Sequence, residues 1–191
     1  MVAPSPTEPA IRFERYEDFR RWTESQPGYR SLVRGAPRPG PSPSRRHQVL
    51  VLRLAMLMVE AVVRPGRGEV YLAPLDVKLA EDTVRQPDLL VVLAEHADRL
   101  RETHLEGAPD LVVEVLSPTT ARLDLWEKRH DYERAGVQEY RVVDPDTRIV
   151  ELYARQGERL LPVALARGQG TLPSRLLPDL RVDLAVLFPG L

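Results

Sequence analysis

Two carboxylates sit where an apolar strand has little use for them. In the run DLVVEVL, alternation puts Leu111, Val113 and Val115 on one face and Asp110, Val112, Glu114 and Leu116 on the other. Both faces are apolar near the middle, the pattern of a strand buried on both sides. An unpaired Glu114 charge is costly there, and burial drives its pKa upward. Three arrangements relieve that cost: one of the many arginines as a structural partner, exposure at the strand's end, or a divalent cation. Asp88 is the second such acid, opening the run DLLVVL directly after Pro87. A lone Asp at a strand start is ordinarily a turn residue. Set beside a second acid on a neighbouring strand, it gives the hard oxygen ligands that Mg²⁺ takes, one or two carboxylates with the other positions left to water and phosphate.

Downstream, Asp124 and Lys128 lie four residues apart on one helix face. Their pattern reads either as a simple surface ion pair, worth about 0.2–0.5 kcal/mol, or as a lysine that reaches back over the end of the Glu114 strand. The 27 basic residues include only two lysines, Lys78 and Lys128. Lys78 lies on a strand near Asp88 and competes with Lys128 for the same place. Asp76, just before that strand, is readable as a turn residue or a further ligand. His47, early in a helix after Ser-Pro, is readable as a polar helix-start side chain or as a group that contacts phosphate or moves a proton.

The elements that must position these residues follow from periodicity. A short amphipathic helix covers Glu17 to Glu24 and ends at Gln26-Pro27-Gly28, and a strand is expected from Tyr29 to Arg34. The stretch from Gly35 to Ser44 (GAPRPGPSPS) has too much Pro and Gly for a helix or a central strand and reads as a loop. Ser44 is a good N-cap for a long helix through Leu50, Leu54, Leu57 and Ala61, stopped by Pro65-Gly66. Strands are expected over Glu69–Ala73 and Asp76–Ala80, joined around Pro74, then from Asp88 and from Asp110. Glu95 to His104 reads as a connecting helix or loop. The next helix runs to about Ala135, with Gly136 as its αL cap. Glu139–Val143 and Arg148–Ala154 flank the turn Asp144-Pro145-Asp146 as a β-hairpin. Another strand pair is expected from Gly157, and the tail around Leu180 to Leu187 adds a strand or a short helix. Interleaved helices and strands give an α/β fold with a mixed sheet.

The bulk properties bound the answer. The 191 residues suit one well-buried domain, taken as 29–191, preceded by an N-terminal arm and short helix over 1–28. The absence of cysteine excludes disulfides, thiolate metal sites and cysteine nucleophiles, so any metal is held by oxygen or imidazole. No apolar run reaches membrane-spanning length and the first residues lack a secretory pattern, so a cytoplasmic location is expected. A formal net charge of -1 means that any nucleic-acid contact depends on a local patch. The segment from Tyr29 to Val59 offers one, with Arg30, Arg34, Arg38, Arg45, Arg46 and Arg53 and no acid. Arg45 and Arg46, at the start of the long helix, are its candidate nucleic-acid contacts.

With Pro87-Asp88, a gap of 25 residues to Glu114-Val115-Leu116, and then Lys128, the sequence resembles the PD-(D/E)XK nuclease superfamily. More narrowly, the stretch GAPDLVVEVLSPTTARLDLWEKRHDYERAGVQEYRVVDPDTRIVELY, Gly107 to Tyr153, is similar to the Uma-type restriction endonuclease family. With SPSRRHQVLVLRL and VRQPDLLVV, the likeness extends over most of the chain from Tyr29 onward. The resemblance implies a restriction-endonuclease-like four-stranded mixed sheet flanked by helices, with the hairpin as an addition. It also implies Asp88 and Glu114 as metal ligands helped by the main-chain carbonyl of Val115, a Mg²⁺ or Mn²⁺ cofactor, DNA as substrate, and a homodimer by analogy. Where the superfamily motif has its lysine, two residues after the glutamate, this chain has Leu116. In Uma-type members the lysine has moved into the following helix, where Lys128 stands. Relatives also carry acids in the segment here reading YRSLVRG, in which Arg30 and Arg34 stand instead. Two further classes compete with a nuclease: a nucleic-acid-binding module that keeps the fold without chemistry, and an assembly protein. A steep salt dependence of DNA binding separates the last of these from the other two.

Overall fold

The computed structural model describes residues 11–28, 30–39, 43–117 and 121–189, with the side chains of 121–124 excepted. Its central element is a six-stranded sheet in the order β11-β10-β9-β8-β6-β3. These strands are β3 (Gly68–Leu72), β6 (Leu89–Leu93), β8 (Leu111–Val115), β9 (Glu139–Asp144), β10 (Ile149–Gln156) and β11 (Arg159–Arg167). β6 runs antiparallel to β8, and β8 runs parallel to β9, so the sheet is mixed. All five residues of β8 are buried, as the two-sided apolar pattern requires. Each of its Leu and Val side chains contributes about 1.5–3 kcal/mol by leaving water.

The two faces of β8 meet different layers. Leu111, Val113 and Val115 pack with Leu50, Leu54 and Met58 of α2 (Arg45–Met58) in the largest core cluster. Ser44 caps α2 by accepting from the His47 N–H at 3.2 Å, and the helix continues as a π-helical turn over Val59–Val63. On the opposite face, Val112 joins Tyr132, Val137, Tyr140 and Val142, with Leu116 and Leu125 packed against them. That face is covered by α3 (Ala121–Ala135), which Gly136 ends with a φ of 105°.

The same face also receives a second, five-stranded sheet, ordered β2-β1-β5-β4-β7. It comprises β1 (Arg30–Val33), β2 (Ala36–Pro39), β4 (Asp76–Ala80), β5 (Thr83–Arg85) and β7 (His104–Glu106). Val77 and Leu105 of this sheet pack on Leu90 and Val92 of β6. The helix α1 (Tyr16–Thr23) closes its end by burying Tyr16 and Phe19 against Leu32 and Val84. A small hairpin of β12 (Thr171–Pro173) and β13 (Arg181–Asp183), followed by α4 (Leu184–Leu187), completes the α2 side of the core.

Two expectations need correction. The segment expected as a loop begins with β2, which pairs with β1 through Leu32↔Pro37 and Arg30↔Pro39. Proline is tolerated there because β2 is an edge strand. The four-stranded sheet implied by the resemblance is instead six strands backed by five among the described residues. The two strands expected around Pro74 are present as β3 and β4. β3 belongs to the six-stranded sheet and β4 to the other, so this connection carries the chain between layers. The hairpin around Asp144-Pro145-Asp146 is present, with Ile149↔Asp144 as its first pair, and the tail supplies both a strand and a helical turn.

Candidate active site

The β6–β8 register brings the two acids together. The pairs run Val91↔Leu111, Leu90↔Val112 and Leu89↔Val113, so the next step sets Asp88 opposite Glu114 on one face. Asp88 stands just before β6 and Glu114 near the end of β8, which puts both at the same edge of the layer. Asp88 Oδ2 accepts from the Val115 backbone N–H at 2.8 Å and lies 3.1 Å from His47 Nε2. The first bond fixes the aspartate to the strand that carries Glu114, and the second ties it to the first turn of α2.

Glu114 is enclosed by α3. Lys128 Nζ donates to its Oε2 at 2.8 Å and Tyr132 OH donates to its Oε1 at 2.7 Å. The two donors are four residues apart, one turn of the same helix face. Arg85 of β5 holds this helix from the second sheet, with Nε at 2.9 Å and Nη2 at 2.5 Å from Asp131 Oδ2. The Glu114 side chain is 5% exposed, against 20% for Lys128 and 19% for Asp88. The site therefore meets solvent at Asp88 and Lys128, with Glu114 beneath them.

The electrostatics follow from that enclosure. Burial raises the Glu114 pKa, the Lys128 charge works against the rise, and the nearby Asp88 charge adds to it, leaving a net increase. Tyr132 is driven well above its ordinary value by burial and by the Glu114 charge, so its phenol stays a donor. For His47, burial lowers the pKa. Asp88 outweighs this, assisted by the Val115 carbonyl and by Glu114, and the net direction is upward.

The other candidates lie elsewhere. Lys78 Nζ pairs with Glu81 at 2.6 Å and Glu106 at 3.3 Å, and Asp76 accepts from Tyr16 and Gln86. Both are held within the second sheet. Arg45 is exposed, and Arg46 reaches Asp146 at 3.0 Å. The Asp124 side chain lies outside the described residues. Sequence reasoning missed Tyr132 and Arg85. The spacing from Lys128 to Tyr132 was an available signal, whereas the Arg85–Asp131 pair joins residues 46 apart in the chain and had none.

As ligands, Asp88, Glu114 and the Val115 carbonyl could hold a hard cation, and the Asp88 charge acting on Glu114 is what such an ion would neutralise. Among the described residues no group of three or more His, Asp or Glu converges as a metal cage. Two carboxylates suit Mg²⁺, which keeps several waters, better than an all-protein site.

A mixed sheet with paired acids at the adjoining ends of two central strands, and a lysine from the next helix, outlines a nuclease-like fold. The chain belongs to the Uma2 family, described as a putative restriction endonuclease, which matches residues 16–186. Among solved structures, it is similar to a putative nuclease belonging to DUF820 from Anabaena variabilis ATCC 29413. The two share 18% identity with a TM-score of 0.70, over 86% of this chain and 94% of that one, a likeness of fold. Comparison with the curated proteins finds none that matches. Among the described residues no helix is long and apolar enough to cross a membrane.

Proposed function

We propose that this protein is a divalent-metal-dependent endonuclease that hydrolyses phosphodiester bonds in DNA. The observation that carries this reading is the meeting of Asp88 and Glu114 across the β6–β8 register, with Lys128 on the glutamate. Asp88, Glu114 and the Val115 carbonyl would hold Mg²⁺ or Mn²⁺. When bound, the ion supplies Lewis acidity toward the phosphoryl oxygens and the attacking water. Lys128 presents an ammonium where the site meets solvent, and there it can stabilise negative charge developing on the phosphate. Tyr132 holds the second Glu114 oxygen and keeps the carboxylate from turning away. His47 fixes the orientation of Asp88 from the α2 side. Arg45, at the exposed start of α2 two residues before His47, would meet the DNA backbone.

The test is cleavage of supercoiled plasmid with Mg²⁺ or Mn²⁺ against the same reaction in EDTA, paired with metal titration by calorimetry. Nicking that needs the ion and vanishes in Asp88→Asn is the expected result. No cleavage on varied substrates, together with no metal binding, would sink the proposal. A second reading is favoured by one observation, that both Glu114 oxygens already carry internal donors. On that reading the protein binds nucleic acid without cutting it. Asp88→Asn would then leave DNA affinity unchanged, with no activity to lose.

A further inference from the structure

Beside the acid pair, on the same face of the main sheet, lies a cavity of about 350 Å³ that the proposed hydrolysis does not use. Its walls include Leu116, Trp126, Arg129, Tyr140, Glu151 and Tyr153. The volume falls in the range of small-ligand pockets. Trp126 is 68% exposed, far more than an indole with a core role. The Arg129 guanidinium lies over the Trp126 ring at 4.3 Å and over the Tyr153 ring at 5.2 Å. These flat π and guanidinium faces line an open hollow rather than a packed core, which is how unstacked bases are held.

Charge narrows the ligand further. Asp144 and Glu151 stand at the rim, and Tyr153 OH donates to Glu151 Oε2. Two carboxylates repel a phosphate. Glu151 can accept from the amino and imino groups of a nucleobase edge, whereas Asp144 Oδ1 takes the Asp146 and Thr147 backbone N–H groups. Arg129, the one cation among the lining residues, is spread over ring faces and does not form a phosphate fork.

The cavity lies to one side of the acids along the sheet, with Leu116 and Val142 among its walls. Glu114 pairs laterally with Val142, and Val142 with Glu151, so the pocket lies two strands from the acid on one face. At the usual strand spacing this is about 10 Å, roughly three stacked base steps along one DNA strand. The rings of Tyr132, Tyr140 and Tyr153 follow one another at 5.4 and 5.8 Å, from the phenol bound to Glu114 out to the cavity wall.

From this geometry we infer that the cavity beside Trp126 takes an unpaired nucleobase within a few nucleotides of the cut, so that single-stranded or unstacked DNA is the preferred substrate. The inference rests on the nuclease reading for its link to a cut, and a base in a duplex would have to leave its stack to enter.

The test measures binding without metal, by anisotropy of a labelled mixed-sequence 12-mer offered single-stranded and as a duplex in EDTA. The single strand is expected to bind at least about tenfold tighter than the duplex. Trp126→Ala and Arg129→Gln should each weaken single-strand binding by about tenfold and leave duplex binding unchanged. In Trp22→Phe, where Trp126 is the sole indole, the single strand should quench the fluorescence. Equal affinity for both DNA forms, or variants that hold the single strand as tightly as the parent, would overturn the inference. Trp126 is exposed, so its loss should not unfold the chain, and Arg129→Gln gives an independent readout. If the binding results hold but plasmid and single strand are never cut, the nuclease reading fails alone. If cutting persists while Trp126→Ala binds like the parent, the base pocket fails alone.

Discussion

Glu114 and Glu139 are both buried glutamates on the neighbouring parallel strands β8 and β9, and they are treated in opposite ways. Glu139 is saturated. Arg141 Nε donates to its Oε1 at 2.8 Å, with Nη2 at 2.7 Å, while Ser174 OH and the Arg175 and Leu176 backbone N–H groups serve its Oε2. It is the arginine-paired structural acid that Glu114 was weighed as being, and it anchors the loop after β12 to the sheet. Glu114 instead has a lysine that is itself near solvent, a tyrosine, and the charge of a second acid that raises its pKa. A buried acid alone thus marks nothing. A buried acid whose pKa stays raised beside a second carboxylate is the kind the proposed hydrolysis would use.

The sharpest way to break this contrast is by activity. Asp88→Asn and Glu114→Gln should each lower metal-dependent cleavage by about a thousandfold or more, about 4 kcal/mol of lost transition-state stabilisation. Glu139→Gln should leave the rate of the folded protein within severalfold. Nicking assays at matched folded concentration decide it, and an inactive Glu139→Gln that is fully folded would erase the distinction. Stability should run the other way. Arg141→Leu strands the Glu139 charge and should cost about 3–5 kcal/mol in urea unfolding. A loss below about 1 kcal/mol would show that Ser174 and the backbone donors suffice.

Next in size comes the lysine pair. Lys128→Ala should lower cleavage by about a hundredfold, about 2.7 kcal/mol. Lys78→Ala should leave cleavage intact and cost about 1.5–3 kcal/mol of stability, because Glu81 and Glu106 lose a charged donor. If Lys78→Ala removes activity and Lys128→Ala does not, the site has been built around the wrong ammonium.

The smallest effect is in pH. Glu114 and His47 both have folded pKa values above their unfolded ones, so the folded state holds more protons in the intervening window. For both groups the associated stability is full below the unfolded value, about 4.3 for Glu and 6.5 for His, and fades as pH rises through the folded value. Metal-free unfolding followed across that range should therefore show stability falling with pH. Glu114→Gln should flatten the lower part of the curve. Asp88→Asn should flatten the upper part and lower the His47 titration, read by NMR, because burial is then opposed only by the Val115 carbonyl and Glu114. An unchanged His47 titration in Asp88→Asn would contradict the contact.

Much of this was readable before any coordinates. Alternation in β8 separated Val115 from Glu114 correctly, because burial on both sides leaves a strand no freedom of register. The Ser44 cap, the Gly136 end of α3 and the Asp144 turn are local chemistry and appeared where expected. The second sheet was not readable. Its strands are three to five residues long, and its order joins β1 to β5 and β4 to β7, pairings that depend on long-range packing and leave no periodic trace. For the same reason Lys78 looked like a neighbour of Asp88 in sequence, yet β4 carries it to Glu81 and Glu106. The acids of the site were visible as misfits of pattern, and their helix-borne supports as spacing. The Arg85–Asp131 tether that seats α3 was invisible, since arginine is common throughout the chain.

Supplying the ammonium from α3 has a consequence for position 116. A strand-borne lysine there would point from the same side as Glu114 and fill the space next to it with a hydrated cation. With Lys128 meeting Glu114 from α3 instead, Leu116 lines the aromatic hollow. Moving one charge from strand to helix would thus leave room for a second recognition element about 10 Å from the first, without lengthening the chain.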